Sequence, residues 1–410
     1  MKRLLLSFFS LCLATLLLLI ADRTVLRAAA GRLQLPRYER QVTTTPEFHY
    51  IADINTAGYR NNEFAPRRAG TIRIVTIGDS FTYGWGVEEA DSWPRILETI
   101  LRETGRDVEI LNLGKPGDTP LSYARTALRM IPQLKPDAVL VAILQGDDLA
   151  QLANRTLDQI QTASTAPLME VQPAPAPDRN SRALVAQWGK RLFPNLLRLR
   201  DLRSRIQSTP ISAIWAKQVR SIRDEATAEE RARYDRLPAD IQAIYQQGHL
   251  NPSLLRLAIS RPDYFSGTWE LDTSATQLAI EKLFHCVAAV RATADRNGAI
   301  PVFVSIPYGM YCSKDDWGNW QRIGFELHQD MLVENHADEA IRRAVRRAGL
   351  ELYGVLDDFR PIAQQTPLYF PLDGHFNPQG HRAFARLVAE RISPTLEDLP
   401  RQAQLRPSAE

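Results

Sequence analysis

Thr71-Ile72-Arg73-Ile74-Val75-Thr76-Ile77-Gly78-Asp79-Ser80 is the stretch on which the fold turns. Ile72 to Ile77 is a β-branched, largely apolar run of strand length, and such runs suit a strand covered on both faces. Gly78 ends it with a residue free to take a sharp turn, which places Ser80 at the strand's C-terminal edge. Ligands of open α/β sheets bind in the crevice outside those edges. A serine hydroxyl is a weak nucleophile on its own; acyl transfer needs a histidine to take its proton and a carboxylate to hold that histidine's tautomer. Far downstream, Asp373-Gly374-His375 precedes a helix-like stretch and supplies both groups.

The rhythm continues outward from this strand. Residues 92–102 have apolar positions at helical spacing, 108–113 read as strand, 121–131 as helix, and Ala138 to Leu144 is a continuous apolar run. Alternation of this kind predicts an α/β domain, a three-layer α/β/α sandwich around a mostly parallel sheet. The rhythm breaks over 151–270, where the Pro/Ala-rich stretch Ala166 to Pro177 precedes Arg- and Leu-rich helical segments at 181–206, 211–233 and 238–247. A largely helical insertion is expected there, with Trp188, Leu192, Phe193, Leu196 and Leu197 buried and Arg198, Arg200, Arg203 and Arg205 on a solvated face. A helix at 274–297 ending at Asn297-Gly298, a strand at 300–306, a helix at 337–348 and a strand at 350–355 resume the pattern. Asn377-Pro378 opens a final helix, with proline at a favoured first-turn position. The domains expected are therefore 71–150 joined to 271–395, the insertion 151–270, a lead-in 28–70 and a tail 396–410.

Composition narrows the class. The 410 residues are 44% hydrophobic and 24% charged, which fits a globular protein rather than a disordered chain. Fifty basic residues stand against 47 acidic ones, and a net charge of +3 argues against nucleic acid as a partner. Cys12, Cys286 and Cys312 lack metal-ligand spacing; Cys286 and Cys312 either pair in an oxidising compartment or stay separate buried thiols. Leu4 to Ile20 is an apolar run preceded by Lys2-Arg3, close to the span of about 17 residues that a membrane helix requires. It is longer than the core of about 7–15 residues in a cleaved export signal. An uncleaved signal anchor over 1–27 is expected, with the body of a single-pass protein on the extracytoplasmic side. Arg23, Arg27, Arg32 and Arg37 follow the span and favour the opposite orientation when basic residues alone are counted.

Four separated blocks, over about 72–148 and 300–392, give the chain a resemblance to the SGNH hydrolases, also called the GDSL esterase/lipase superfamily. They are Gly78-Asp79-Ser80-Phe81-Thr82, Asn112-Leu113-Gly114-Lys115-Pro116-Gly117-Asp118-Thr119, Gln145-Gly146-Asp147-Asp148 and Asp373-Gly374-His375-Phe376-Asn377. The resemblance implies a flavodoxin-like sheet order and a serine esterase that needs no metal or organic cofactor. It makes Ser80 the nucleophile, His375 the base and Asp373 the orienting acid, with acid and base one residue closer than in many members. The backbone N–H groups of Ser80 and Gly117 are the implied oxyanion donors. A substrate bearing an acyl group, such as an extracytoplasmic glycan, follows by analogy.

The third block departs from the pattern. Where the superfamily carries an asparagine whose amide completes the oxyanion hole, this chain has Asp147. An ionised carboxylate only accepts hydrogen bonds and repels developing negative charge. Either Asp147 is protonated, or Gln145 supplies the amide, or the site is weak. Among the remaining polar residues, Asp79 and Asp148 are expected to brace their turns and His381 to be structural. Tyr83, Trp85, Tyr308 and Trp317 are expected in the core more than around an acyl pocket.

Overall fold

The computed structural model describes residues 2–27, 39–153 and 210–397, together with residues 157, 193, 195 and 196. Two compact units emerge, Met1–Glu39 with Pro167–Pro210, and Arg40–Ala166 with Ile211–Glu410. In the first, helix Lys2–Ala21 runs into a π-helical turn at Asp22–Leu26. Buried Asp22 accepts the backbone N–H of Leu196 at 2.6 Å. Much of the expected anchor falls on positions whose side chains lie outside the described residues, and among the described residues no helix is long and apolar enough to cross a membrane.

The second unit carries the α/β fold. A two-stranded sheet of β1 (Glu39–Thr44) and β2 (His49–Ile54) precedes it. The central sheet comprises β3 (Ile72–Ile77), β4 (Val108–Asn112), β5 (Ala138–Leu144), β6 (Ile300–Ile306) and β7 (Leu352–Tyr353), in the order β4-β3-β5-β6-β7. Every strand pair in it is parallel. Side chains alternate between faces with the period of two that a strand imposes. Ile74, Leu140, Ala142 and Val304 enter one core; Val75, Ile77, Val139, Val141 and Phe303 enter the other. Helices Trp93–Glu103 and Pro378–Glu397 cover the first face, and helices Pro120–Leu134, Ser274–Arg296 and His336–Arg347 the second.

This order reverses direction between β3 and β5, and the crevice beyond the carboxyl ends of those two strands is where doubly wound sheets place their ligands. Ser80 follows β3 and Asp147 follows β5. The fold thus brings the first and third sequence blocks to the same crevice.

Of the segment 151–270, the described helices are Ile211–Glu225, Ala228–Arg236, Ala239–Gln246 and Pro252–Ser260. Their Val219, Tyr234, Ile241, Tyr245 and Leu255 share the core of the first sheet face. The single helix expected over 211–233 is two, separated by a capping box in which Thr227 and Glu230 satisfy each other's backbone N–H. Trp188, Leu192, Leu197, Arg198, Arg200, Arg203 and Arg205 lie outside the described residues, as does the tail from 398. Phe193 is half-buried, and Leu196 is exposed, against the expectation of burial. Cys286 and Cys312 are buried thiols in the cores on opposite faces of the sheet, so the pairing alternative is excluded.

Candidate active site

Asp79 ends the turn after β3 and caps the short helix Ser80–Tyr83, its Oδ1 accepting the N–H of Phe81 at 2.9 Å. This is the bracing role expected of it. Ser80 occupies the first helical position and stays half-buried, open to the crevice. Its Oγ lies 2.6 Å from Nε2 of His375, whose Nδ1 lies 2.5 Å from Oδ1 of Asp373. The structure brings the three predicted residues into one hydrogen-bonded chain, with His375 packed against the Phe81 ring at a 4.7 Å centroid separation.

The tight acid–base spacing works because Gly374 sits at φ 80°, a left-handed conformation in which a Cβ is disfavoured. The loop closes on itself through Gly374 N–H to Phe370 O and Phe370 N–H to His375 O, both 2.9 Å. Burial pulls the imidazole's pKa down, but the charges of Asp373, Asp79 and Asp147 outweigh it and leave His375 raised. A raised pKa favours the imidazolium that forms as the base takes the serine proton.

Gly117 lies in a turn closed by Asp118 N–H to Lys115 O at 3.1 Å, with Pro116 before it and its own φ at 78°, the pattern of a type II turn. Lys115 N–H donates to Gly78 O at 3.1 Å, which docks this loop beside the nucleophile turn. Among the described residues, neither the N–H of Ser80 nor that of Gly117 has a protein acceptor. Both remain available as donors.

Asp147 opens helix Asp147–Ala153. Its Oδ1 accepts from the Tyr264 hydroxyl at 2.9 Å and its Oδ2 from Gln151 Nε2 at 2.7 Å. Burial pushes its pKa up to about 6, against the opposing effects of the Tyr264 hydrogen bond and His375. Burial with the Asp147 charge likewise lifts Asp79 to about 7. The Gln145 alternative is ruled out: this amide is buried and its Nε2 donates to Asp338 Oδ1 at 2.6 Å. Asp148 braces the strand end as expected, accepting from Leu144 N–H at 2.9 Å and the Tyr123 hydroxyl at 3.2 Å.

His381 is fully buried, accepts the Trp93 N–H on Nδ1 at 3.2 Å, and is pulled down to about 3 by burial. It is structural. Tyr83 and Tyr308 are buried, and Trp317 donates to His328 O at 3.1 Å. Trp85 packs against the core of Phe48 and Tyr50 and also reaches the site: its indole N–H donates to Asp373 Oδ2 at 3.3 Å, and its ring lies 6.0 Å from that of His375.

Sequence reasoning passed over three contributors. Glu47, between β1 and β2, accepts the backbone N–H groups of Leu372 and Asp373 at 3.0 and 2.8 Å. Arg60 is buried and donates to Gly84 O at 2.7 Å and Val87 O at 2.8 Å, holding the segment behind the nucleophile turn. Tyr264 lies 117 positions from the Asp147 it contacts.

Residues 76–247 match a family model described as the GDSL-like lipase/acylhydrolase family. This range holds Ser80, Gly117 and Asp147 and ends before Asp373 and His375. An arylesterase of Vibrio mimicus is 31% identical over 77 residues, which cover 19% of this chain and 38% of the relative. Esterase TesA of Pseudomonas aeruginosa is 24% identical over 93 residues, 23% of this chain and 46% of the relative. The chain spans less than half the length of either curated relative. A crystal structure of TesA aligns with 80% of this chain and 99% of its own, at 12% identity and a TM-score of 0.36.

Proposed function

We propose that the chain is a serine esterase that works through an acyl-enzyme, a reading supported by the match of residues 76–247 to the GDSL-like lipase/acylhydrolase family. The observation that carries this reading is the unbroken chain from Ser80 Oγ through His375 to Asp373. Ser80 Oγ attacks the ester carbonyl as its proton passes to His375 Nε2; Asp373 holds Nδ1–H and balances the imidazolium. Collapse of the tetrahedral intermediate expels the alcohol, which takes the proton back from Nε2. Water, deprotonated by the same nitrogen, then releases the acid. The N–H groups of Ser80 and Gly117 are the oxyanion donors.

The substrate in this proposal is an acylated extracytoplasmic glycan, with helix Lys2–Ala21 as the membrane anchor; the apolar run Leu4 to Ile20 supports the anchor. Passing the acyl group to a sugar hydroxyl would make the protein an O-acetyltransferase, which differs in the final acceptor alone. Asp147 in place of an amide favours a third reading, a non-catalytic glycan-binding protein that retains the fold.

Hydrolysis of 4-nitrophenyl acetate by the purified chain and by Ser80→Ala separates the acyl-enzyme readings from the non-catalytic one. A burst of nitrophenol in the parent that vanishes in the variant is the expected result. Equal background rates from two folded proteins would overturn the esterase reading.

A further inference from the structure

We propose that Glu47 is a positioning residue for the acid–base pair, so that the β1–β2 hairpin, which precedes the family-matched segment, completes the catalytic machinery. This rests on the serine-esterase reading above. Four backbone N–H groups of the loop carrying Asp373 and His375 have identified acceptors. Two stay within the loop, Phe370 to His375 O and Gly374 to Phe370 O. The two in between, Leu372 and Asp373, donate to separate oxygens of the Glu47 carboxylate, at 3.0 and 2.8 Å. Hydrogen bonds to an ionised acceptor are shorter and stronger than neutral ones, and a two-oxygen grip on consecutive amides fixes direction as well as distance.

The carboxylate is itself held in place. Phe48, the next residue, packs on Phe370 at 4.9 Å and on Trp85 at 6.2 Å between ring centroids. Thr45 closes the turn, its N–H donating to Phe48 O at 2.9 Å. One hairpin tip therefore contacts the start and the middle of the base loop and the indole that donates to Asp373 Oδ2. Asp373 is left with Oδ1 on His375 and Oδ2 on Trp85, while its own backbone N–H is tied to Glu47. Glu47 touches neither the serine nor the imidazole. It acts through the loop.

The test uses the full chain with Glu47→Ala, Glu47→Gln and, as a hairpin control, Glu88→Gln, whose parent carboxylate accepts the Ile51 N–H at 3.0 Å without contacting the base loop. Titration of reactive Ser80 with a fluorophosphonate counts the folded, competent sites, and turnover of 4-nitrophenyl acetate is expressed per titrated site. The expected result is a fall in kcat of about 100-fold for Glu47→Ala, the scale set by a misplacement of about 1 Å. KM stays unchanged, because substrate binding is not what the residue provides. Glu47→Gln keeps one acceptor and is expected to lose about tenfold, and Glu88→Gln to match the parent. A fall in thermal midpoint and titratable fraction with unchanged kcat per site would overturn the inference and leave a merely structural contact. So would a Glu88→Gln loss equal to that of Glu47→Ala, since the effect would then belong to the hairpin as a whole. An absence of any Ser80-dependent turnover in the parent would instead overturn the esterase reading on which the inference stands.

Discussion

At the scale of single residues, Asp147 sets the chemistry apart. Its carboxyl is fixed by Tyr264 and Gln151, at the crevice where an oxyanion forms. With its pKa pushed up to about 6 by burial, the group is neutral in acid and anionic above that point. The anion repels the oxyanion, so the parent loses ground to a neutral side chain at this position as the pH rises past 6. Asp147→Asn retains an oxygen for the Tyr264 hydroxyl and adds an N–H donor, and one such donor is worth on the order of 100- to 1000-fold in other oxyanion holes. The variant is therefore expected to exceed the parent in kcat/KM by about tenfold or more at pH 8, with the ratio shrinking toward pH 5. Paired pH–rate profiles check it. A variant slower than the parent across the range would show that the carboxylate has a positive role. The departure at Asp147 was legible in the sequence, because a family pattern exposes a single changed side chain. Its partner Tyr264 was not, since a tyrosine in the turn after helix Pro252–Ser260 carries no sign of which strand end its hydroxyl reaches.

At the scale of elements, apolar pattern and local chemistry decided what could be read. β3, β5 and β6 lie where their β-branched runs put them, since both faces are largely buried and most positions are apolar. β7 shrinks from the expected 350–355 to Leu352–Tyr353, as an edge strand with one neighbour needs fewer ladder bonds. β1, with the sequence ERQVTT, was missed because it carries no apolar alternation. The Thr227-to-Glu230 capping box was a sequence-level signal for a helix start that the apolar pattern overran. The loop of Asp373 and His375 offers an element-level test. A Cβ on Gly374 would stand 2.4 Å from Trp320 Cζ2 and force a non-glycine residue to φ 80°. Backbone strain of this kind costs about 1–3 kcal/mol. Gly374→Ala is expected to lower the thermal midpoint by several degrees and to reduce kcat/KM by more than the loss of folded protein explains. Activity per titrated Ser80 equal to that of the parent would show that the loop tolerates the change without moving the acid–base pair.

At the scale of the whole molecule, the residues of one site come from positions 47, 80, 117, 147, 264, 373 and 375, and the buried charge they gather governs folding as well as catalysis. Sequence blocks located the strand ends, whereas the meeting of residues hundreds of positions apart is a property of the packed fold. Burial, with the charge of Asp147, lifts Asp79 to about 7; burial lifts Asp118 and Asp316 to about 6. Each binds its proton more tightly when folded than when unfolded, where a carboxyl titrates near 3.8. Their contribution to stability is fully present below about pH 4 and is lost as the pH rises through 6 to 7. His381 works in the other direction: burial lowers it from 6.5 to about 3, so its contribution is present above 6.5 and is lost as the pH falls toward 3. The two trends oppose each other in acid. Between pH 6.5 and 8 the His381 contribution is constant, and the slope belongs to Asp79, to Asp148, which burial and the Asp79 charge raise well above the usual carboxylate range, and to the raised His375. The thermal midpoint of the parent is expected to fall across that window. Asp79→Asn keeps an oxygen for the Phe81 N–H, removes the buried ionisation and weakens the charge that raises His375, so it is expected to flatten the slope. An unchanged slope in this variant would place the buried ionisation elsewhere, and Asp79 would then hold its turn as a neutral group in parent and variant alike.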